Sequence, residues 1–477
     1  MLYEQGLVPT ELKQANVSPI FKGGNRKDPS NYRPVSITPI VAKVFESIIY
    51  DDLQKFIEDN KVISPKQHGF QKAKSTTTNL IDFWDRVTSI ADNGKSLSII
   101  YTDLKKAFDS VPHDLLLAKL EHYGVRGKTY NWIESFLQNR TQKVVVNDEA
   151  SDYAPVLSGV PQGGILSGMF FILYINDLPQ NLKHTEVFMY ADDAKLLSEV
   201  LNNQSLTEIQ QDLDSLHAWC TQWRLALNPK KCYWIHYNPK NCKSPLTPDY
   251  FINNIRIERK EKVVDLGITI SQNLKFHDHI DNICKRAKRE INRVRRSFKC
   301  RTPTFLANAY KTHIRPTIEY AEPVWNPVYS GDTEKLEKVQ NKLTKLLRHG
   351  SVMCPHERNE MLGLTDHKTR RLRGDLIQLF KYSKSDQLNL AAHHSQRRFN
   401  TRAIARTSYR TNLRAHSFVV RNTETWNSLP DDIVTSDTVN VFKSRIDEYL
   451  NAERPYHNEM EFRVDCDGAR LCVSFAL

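Results

Sequence analysis

The feature that most constrains this 477-residue chain is one run, Phe188-Met189-Tyr190-Ala191-Asp192-Asp193-Ala194-Lys195-Leu196-Leu197. Apolar residues flank two adjacent aspartates, the pattern of two short strands meeting at a tight acidic turn. Alone, such a turn is ordinary, because Asp favours any surface hairpin. A second apolar strand, Leu97-Ser98-Ile99-Ile100-Tyr101, also runs into an aspartate, Asp103, after which Lys105, Lys106 and Ala107 break the run. Two carboxylates about 4 Å apart repel by roughly 4 kcal/mol even at an effective dielectric of about 20. Buried strands that both end in acids therefore call for a cation between them. Hard oxygen ligands suit Mg²⁺, which takes one or two carboxylates together with substrate phosphates. A pair of such ions about 4 Å apart suits in-line nucleotidyl transfer.

The net charge of +12 and pI near 9.1 favour a polyanionic partner, nucleic acid before a membrane surface. The length suggests about two to four domains. Cysteines at 220, 232, 242, 284, 300, 354, 466 and 472 form no C-x-x-C pair, so neither a zinc ribbon nor a disulfide framework is supported, and reduced, mostly structural thiols are expected. The opening residues lack the basic head and apolar core of a signal peptide, and no apolar run reaches membrane-spanning length. These features lead us to expect a soluble, intracellular protein of the nucleus or cytoplasm, with no membrane partner.

Along the chain, Val17, Ile20 and Phe21 mark a strand that delivers Lys22 into a Gly23-Gly24 turn, and a helix is expected over residues 41–58. Lys22 and Arg33 on adjoining strands could clamp a triphosphate, Arg as a fork and Lys as a point charge, although each alone would be an ordinary surface cation. Residues 64–78 form a basic turn, with Lys72 and Lys74, leading into a helix over 79–92; it is either a capped helix start or a template-backbone contact. Asp103 and Phe108 stand five apart and would face opposite ways in one strand, so the strand must end near Leu104 for both to serve one site. Helices over 115–123 and 130–138 and a hairpin of 143–146 with 152–157 follow. The glycine-rich run 158–168 then opens an apolar helix over 169–174, where backbone N–H groups can approach a ligand closely.

Taken in this order, the chain resembles the reverse transcriptase of non-LTR (LINE-type) retrotransposons. The resemblance is carried by PIFKGG, NYRPVSITPI, QHGFQKAKST, YTDLKKAFDSVPH, SGVPQGGILSG, YINDLP, YADDAKLL, LALNPKKC and VVDLGITI. It covers residues 9–350 strongly and the tail from Arg410 more loosely. It implies an α+β right-hand polymerase: fingers (1–78), palm (79–118), a fingers/palm insertion (119–157), palm with an antiparallel sheet (158–245), primer grip and helical thumb (246–380), and a basic C-terminal region (381–477). It further implies RNA-templated addition of dNTPs to a DNA primer or target 3′-end, with two Mg²⁺ ions that Mn²⁺ can replace. Asp103, Asp192 and Asp193 match the metal-binding aspartates, and Lys231 matches a general acid near the leaving pyrophosphate. Lys22 and Arg33 match triphosphate contacts, Phe108 the bulky residue that excludes a 2′-hydroxyl, and Gln162 a neighbour of the incoming nucleotide. Gly267 lies in the primer-grip block. Two positions depart from the family: Ser167-Gly168 stands where a Gly-Pro pair is common, and Gln71 where arginine is usual. The family normally carries an endonuclease ahead of this region, so the expectation is of an element lacking it.

Residues 204–216 read as an amphipathic helix, with Trp219 and Trp223 continuing its core stripe. Residues 285–301 hold nine Lys/Arg and one Glu. On a helix begun near His277, this set, with Lys285, Arg286, Lys288, Arg289 and Arg293 among it, would track phosphates or simply be solvated. Helices over 334–347 and 368–380 follow. Arg402, Arg406, Arg410 and Arg414 recur every four residues, a stripe if that segment is helical, an alternative being a disordered basic tail. Two rival readings remain: an RNA-dependent RNA polymerase, which shares the palm, and an inactive relic that binds nucleic acid.

Overall fold

The computed structural model describes residues 3–239, 246, 248–299, 301–384 and 401–452. Cys242, Cys300, Cys466, Cys472 and the run 461–477 lie outside the described residues. The chain divides into two compact units, Met1–Asn79 with Gly94–Glu261, and Leu80–Asn93 with Lys262–Leu477.

The first unit runs through strands β1 (Gln14–Phe21) and β2 (Tyr32–Ile37), helix α1 (Ile40–Asp59), the start of α2 (Thr76–Asp92), and strand β3 (Ser96–Thr102). Helices α3 (His113–His122) and α4 (Gly127–Leu137), strands β4 (Thr141–Val146), β5 (Glu149–Ala150) and β6 (Ala154–Pro155), and helix α5 (Ser167–Tyr174) follow. The hairpin β7 (Glu186–Tyr190) and β8 (Asp193–Val200), helix α6 (Asn203–Gln222), and strands β9 (Tyr233–Tyr237), β10 (Phe251–Ile252), β11 (Ile255–Arg256) and β12 (Glu258–Arg259) complete it.

The central sheet has the order β12-β9-β3-β8-β7. Four of its strands are antiparallel, as expected of the palm, and β12 joins β9 in parallel. Every residue of β3 from Leu97 to Thr102 is buried, the mark of a strand covered on both faces. Helix α5 is buried along its whole length, and Phe170, Phe171, Tyr174, Trp132, Phe136 and Trp234 fill the core. Trp219 is buried as expected, and Asn202 caps α6 by accepting from the Ser205 amide at 3.0 Å. A second sheet pairs β1 with β2 antiparallel and with β4 in parallel. The expected hairpin partner of β4 is mostly absent: only β6 pairs from within 152–157, and the tight turn is made with β5. Asn147 and Asp148, both at positive φ (48° and 68°), form the two-residue turn that dictates this shorter hairpin.

The second unit holds the rest of α2, the hairpin β13 (Lys262–Asp265) and β14 (Ile268–Ser271), helix α7 (His277–Ser297), α8 (Pro303–Ala309), a π turn (Tyr310–Ile314), α9 (Arg315–Glu319), α10 (Glu322–Trp325) and α11 (Ser330–Thr344). It continues through α12 (Pro355–Met361), α13 (His367–Lys384), α14 (Asn412–Ala415), α15 (Phe418–Ser428), α16 (Asp431–Val434) and α17 (Val439–Ala452). The arginines spaced every four residues form no helical stripe. Residues 403–409 have no regular structure, Arg410 and Thr411 donate backbone N–H bonds to Asp92, and Arg414 is buried with its guanidinium 2.6 Å from Asp85. That segment is held on α2 by the Arg414–Asp85 ion pair and by the backbone N–H bonds to Asp92. Phe380 and Phe442 stack at 4.3 Å, and Trp325 and Trp426 are fully buried.

Arg421 also spans this core, donating to both oxygens of Asp375 at 3.0 and 2.9 Å and to the Pro323 carbonyl at 2.7 Å. Asp375 is 2% exposed, so removing its partner would strand a buried charge. Arg421→Ala is expected to destabilise this unit by about 3 kcal/mol, read as a lower midpoint in denaturant unfolding.

Candidate active site

A cleft of about 1320 Å³ opens in the first unit. Its lining includes Lys22, Arg33, Asp103, Phe108, Gln162, Asp192 and Lys231, sequence-predicted residues from six separate blocks of the chain. Sheet register explains how the two acids meet. Thr102 of β3 pairs with Ala194 of β8, so Asp103 and the β7–β8 turn emerge at the same end of the sheet. Tyr190 pairs with Asp193, leaving Ala191 and Asp192 as the two turn residues. Asp193, exposed at the first position of β8, is not among the residues lining the cleft.

The Asp103 end is held by the segment 226–228. Lys105 donates to the Ala226 carbonyl at 2.7 Å, and Asn228 donates its backbone N–H to the Asp103 carbonyl at 2.8 Å. The Asn228 amide donates to an Asp103 carboxylate oxygen at 3.2 Å, while the Asp103 N–H donates to the Cys232 sulfur at 3.4 Å. The chain then turns through Lys106, at φ 46°, into a short 3₁₀ turn, Ala107–Asp109. That break is the one required for Asp103 and Phe108 to share a site. Phe108 stacks on Phe171 at 4.5 Å and meets Phe70 edge-on at 6.0 Å, so its ring is fixed from two sides.

The glycine-rich loop is laced to its neighbours. Val160 donates to the Phe108 carbonyl at 2.8 Å and Gly159 to the Val111 carbonyl at 2.7 Å. A Cβ on Gly159 would stand 2.7 Å from Asp109, and its φ of 89° also favours glycine. Gln162 accepts through its carbonyl from the Ser36 amide at 2.7 Å and donates its side-chain amide to Asp109 at 2.8 Å. Glu46 of α1, fully buried, accepts from the Ile165 and Leu166 amides at 2.7 and 3.3 Å. The departure at Ser167-Gly168 has a local cause: a Cβ at position 168 would fall 2.3 Å from the Phe70 ring.

Burial pushes the Asp192 carboxyl above the usual aspartate range. Asp103 adds to the shift, while Arg33 and Lys22 oppose it. Burial also raises Asp109, against the pull of Gln162, Lys106 and Lys22. Among the described residues, no three acidic, histidine or cysteine side chains form a ready metal-binding group. The donor set still fits a divalent cation, because Asp103 and Asp192 are hard oxygen ligands on one cleft and a cation would relieve the cost that burial and Asp103 impose on Asp192.

Several cleft residues escaped the sequence reading: Arg26, Lys27, Phe70, Asp109 and Asn228. Arg26 stacks over Phe21 at 4.7 Å. The signal for Asn228 was its place in the LALNPKKC block; for the others nothing in local pattern marks a cleft wall. The Lys74 ammonium donates to the Pro65 and Gln67 carbonyls at 2.8 Å each, bracing its own turn. Lys72 is exposed beside a smaller cavity of about 230 Å³.

In the second unit, Leu266 and Gly267 form the β13–β14 turn at φ 44° and 87°, and Tyr320 donates its hydroxyl to the Leu266 carbonyl at 2.9 Å. Helix α7 buries Ile280, Ile283, Ala287, Ile291 and Val294 and exposes Lys285, Arg286, Arg289 and Arg293, with Lys288 half-buried. Cys220, Cys232 and Cys284 are buried, each with a free thiol. No helix among the described residues is long and apolar enough to cross a membrane.

The family model described as reverse transcriptase (RNA-dependent DNA polymerase) matches residues 22–270. Among curated proteins, the chain is 25% identical over 405 residues to the probable RNA-directed DNA polymerase from transposon BS of Drosophila melanogaster, covering 81% of this chain and 43% of that protein. It is 26% identical over 421 residues to the RNA-directed DNA polymerase from mobile element jockey of the same organism, covering 86% and 45%. The chain thus spans less than half the length of these relatives. A solved telomerase from Candida tropicalis aligns over 81% of this chain and 68% of that one, at 12% identity and a TM-score of 0.43, a likeness too low to carry an argument. With the family model spanning over half of its 477 residues, the chain belongs to the reverse transcriptase family.

Proposed function

We propose that this chain is the polymerase portion of a non-LTR retrotransposon, an RNA-directed DNA polymerase that extends a DNA primer or target 3′-end with dNTPs. The observation that carries this reading is the cleft that collects Asp103 and Asp192 with Lys22, Arg33, Phe108, Gln162 and Lys231. Asp103 and Asp192 would hold two Mg²⁺ ions, replaceable by Mn²⁺, with Asp193 beside them. Bound there, the ions supply Lewis-acid stabilisation of charge on the attacking and departing oxygens. Lys22 and Arg33 receive the triphosphate as point charge and fork. The Phe108 ring, wedged between Phe70 and Phe171, occupies the space a ribose 2′-hydroxyl would need. Gln162, oriented by Asp109, lies beside the incoming nucleotide, and Lys231 donates a proton to the departing pyrophosphate.

The partners are an RNA template and a DNA primer. For the second unit, the exposed cations of α7 (Lys285, Arg286, Arg289 and Arg293, with Lys288 beside them) serve as phosphate contacts, and the Gly267 turn serves as the primer grip. In the first unit Lys72 contributes to the template side. The partition into fingers, palm, thumb and basic C-terminal region belongs to the same proposal.

The purified chain, given a primed RNA template, dNTPs and Mg²⁺, is expected to extend the primer. Asp192→Asn should reduce extension by on the order of a thousandfold or more, leaving affinity for the primed template within about threefold; extension by this variant at the parental rate would sink the assignment. Phe108→Ala should raise ribonucleotide incorporation relative to dNTP by about tenfold or more, since a steric rejection worth about 1.4 kcal/mol changes a ratio tenfold. Unchanged sugar selection, read from competition extension, would remove the gate.

A further inference from the structure

Residues 66–69 belong to the basic turn ahead of α2, and their backbone runs along the edge of β7. His68 donates to the Met189 carbonyl at 2.9 Å, Met189 donates to the Lys66 carbonyl at 3.0 Å, and Gln67 bridges Met189 in parallel. The Asn79 amide adds a bond to the same Met189 carbonyl at 3.1 Å. Beyond Met189 the chain enters the turn that presents Asp192, and Ala191 sits there at φ 53°. A residue with a Cβ resists that conformation, so contacts that hold the Ala191 peptide offset a local strain.

Gln67 is in place to do so. Its side chain is 1% exposed, and its amide oxygen accepts from the Ala191 N–H at 2.9 Å and the Gly69 N–H at 2.7 Å. Its amide nitrogen approaches the Ala191 carbonyl at 3.4 Å. One amide thus meets both polar groups of the strained residue. Gly69 lies so close that a Cβ there would stand 2.4 Å from the Ala191 nitrogen.

We propose that Gln67 is a positioning residue for Asp192, its buried amide locking the Ala191 peptide in the left-handed turn that delivers the carboxylate to the cleft. The role rests on the assignment of Asp192 to the active site. Because the clamp offsets strain at Ala191, the need for it should shrink when residue 191 is glycine, which adopts positive φ freely. Ordinary packing by Gln67 would be indifferent to that change.

Gln67→Met keeps side-chain length and removes both hydrogen-bonding groups. It can be compared in the full chain with Ala191→Gly and with the double variant. Without metal, Gln67→Met should speed amide exchange at Ala191 and Asp193, with exchange in β3 unchanged. In primer extension it should lower kcat by on the order of a hundredfold, with the KM for dNTP within about threefold. In the Ala191→Gly background the same substitution should cost less than about tenfold, the coupling expected of groups in contact. An equal penalty in both backgrounds, or unchanged exchange at the turn, would overturn the clamp. Where Gln67→Met alone does not fold, folding of the double variant supports the proposal, and its failure counts against it. Should the parent chain extend no primer, the polymerase reading fails while the exchange measurement still decides the clamp.

Discussion

The pairing of β3 with β8 sets up everything at the cleft. Ile99 opposes Leu197, Ile100 opposes Leu196, and Thr102 opposes Ala194, all in a strand buried from Leu97 onward. A slip of one residue would exchange these cross-strand partners, so the register is held by their packing on both faces of β3. Its consequence is that Asp103 and Asp192, far apart in sequence, leave the sheet at one end. The like-charge cost of that meeting shows in the Asp192 carboxyl, raised first by burial and then by Asp103. The wholly buried helix α5 lies in the core of the same unit.

Around this centre the loops are held by backbone, and by side chains aimed at backbone. Asn228 and Cys232 bond to Asp103, Gly159 and Val160 bond to the turn after β3, and Glu46 accepts from Ile165 and Leu166. Such contacts fix peptide groups without filling the cleft. Glycines at 159 and 163 permit the close approaches, since Cβ atoms there would meet Asp109 at 2.7 Å and the Ser36 carbonyl at 2.6 Å. Lys22 and Lys231, long and charged, line the cleft between these held loops.

The second unit takes several guanidinium groups inside. Arg358 is 2% exposed and donates to Thr344 and to the Gly350 carbonyl; Arg370 meets Glu319, Tyr310 and Gln340; Arg421 forks onto Asp375. Buried guanidinium groups need their donors satisfied in a fixed planar pattern, which orders the surrounding helices more sharply than apolar contact alone. Arg414 does the same for the segment after residue 401, through Asp85 and Thr88. Arginines that look like a solvated stripe in sequence are partly structural.

Local pattern alone determined much of this protein. The apolar runs that end in Asp103 and Asp192, the helices at residues 40–59, 203–222 and 277–297, and the ordered motif blocks were legible because periodicity and turn chemistry are short-range. The identity of most cleft residues was legible through the family resemblance. What only tertiary structure decided is which groups share a neighbourhood: Asn228 against Asp103, Asp109 against Gln162, Phe70 against Gly168, and Gln67 against Ala191. Each of these depends on contacts between residues distant in sequence, or on backbone angles such as φ 53° at Ala191, and neither leaves a periodic trace in the chain.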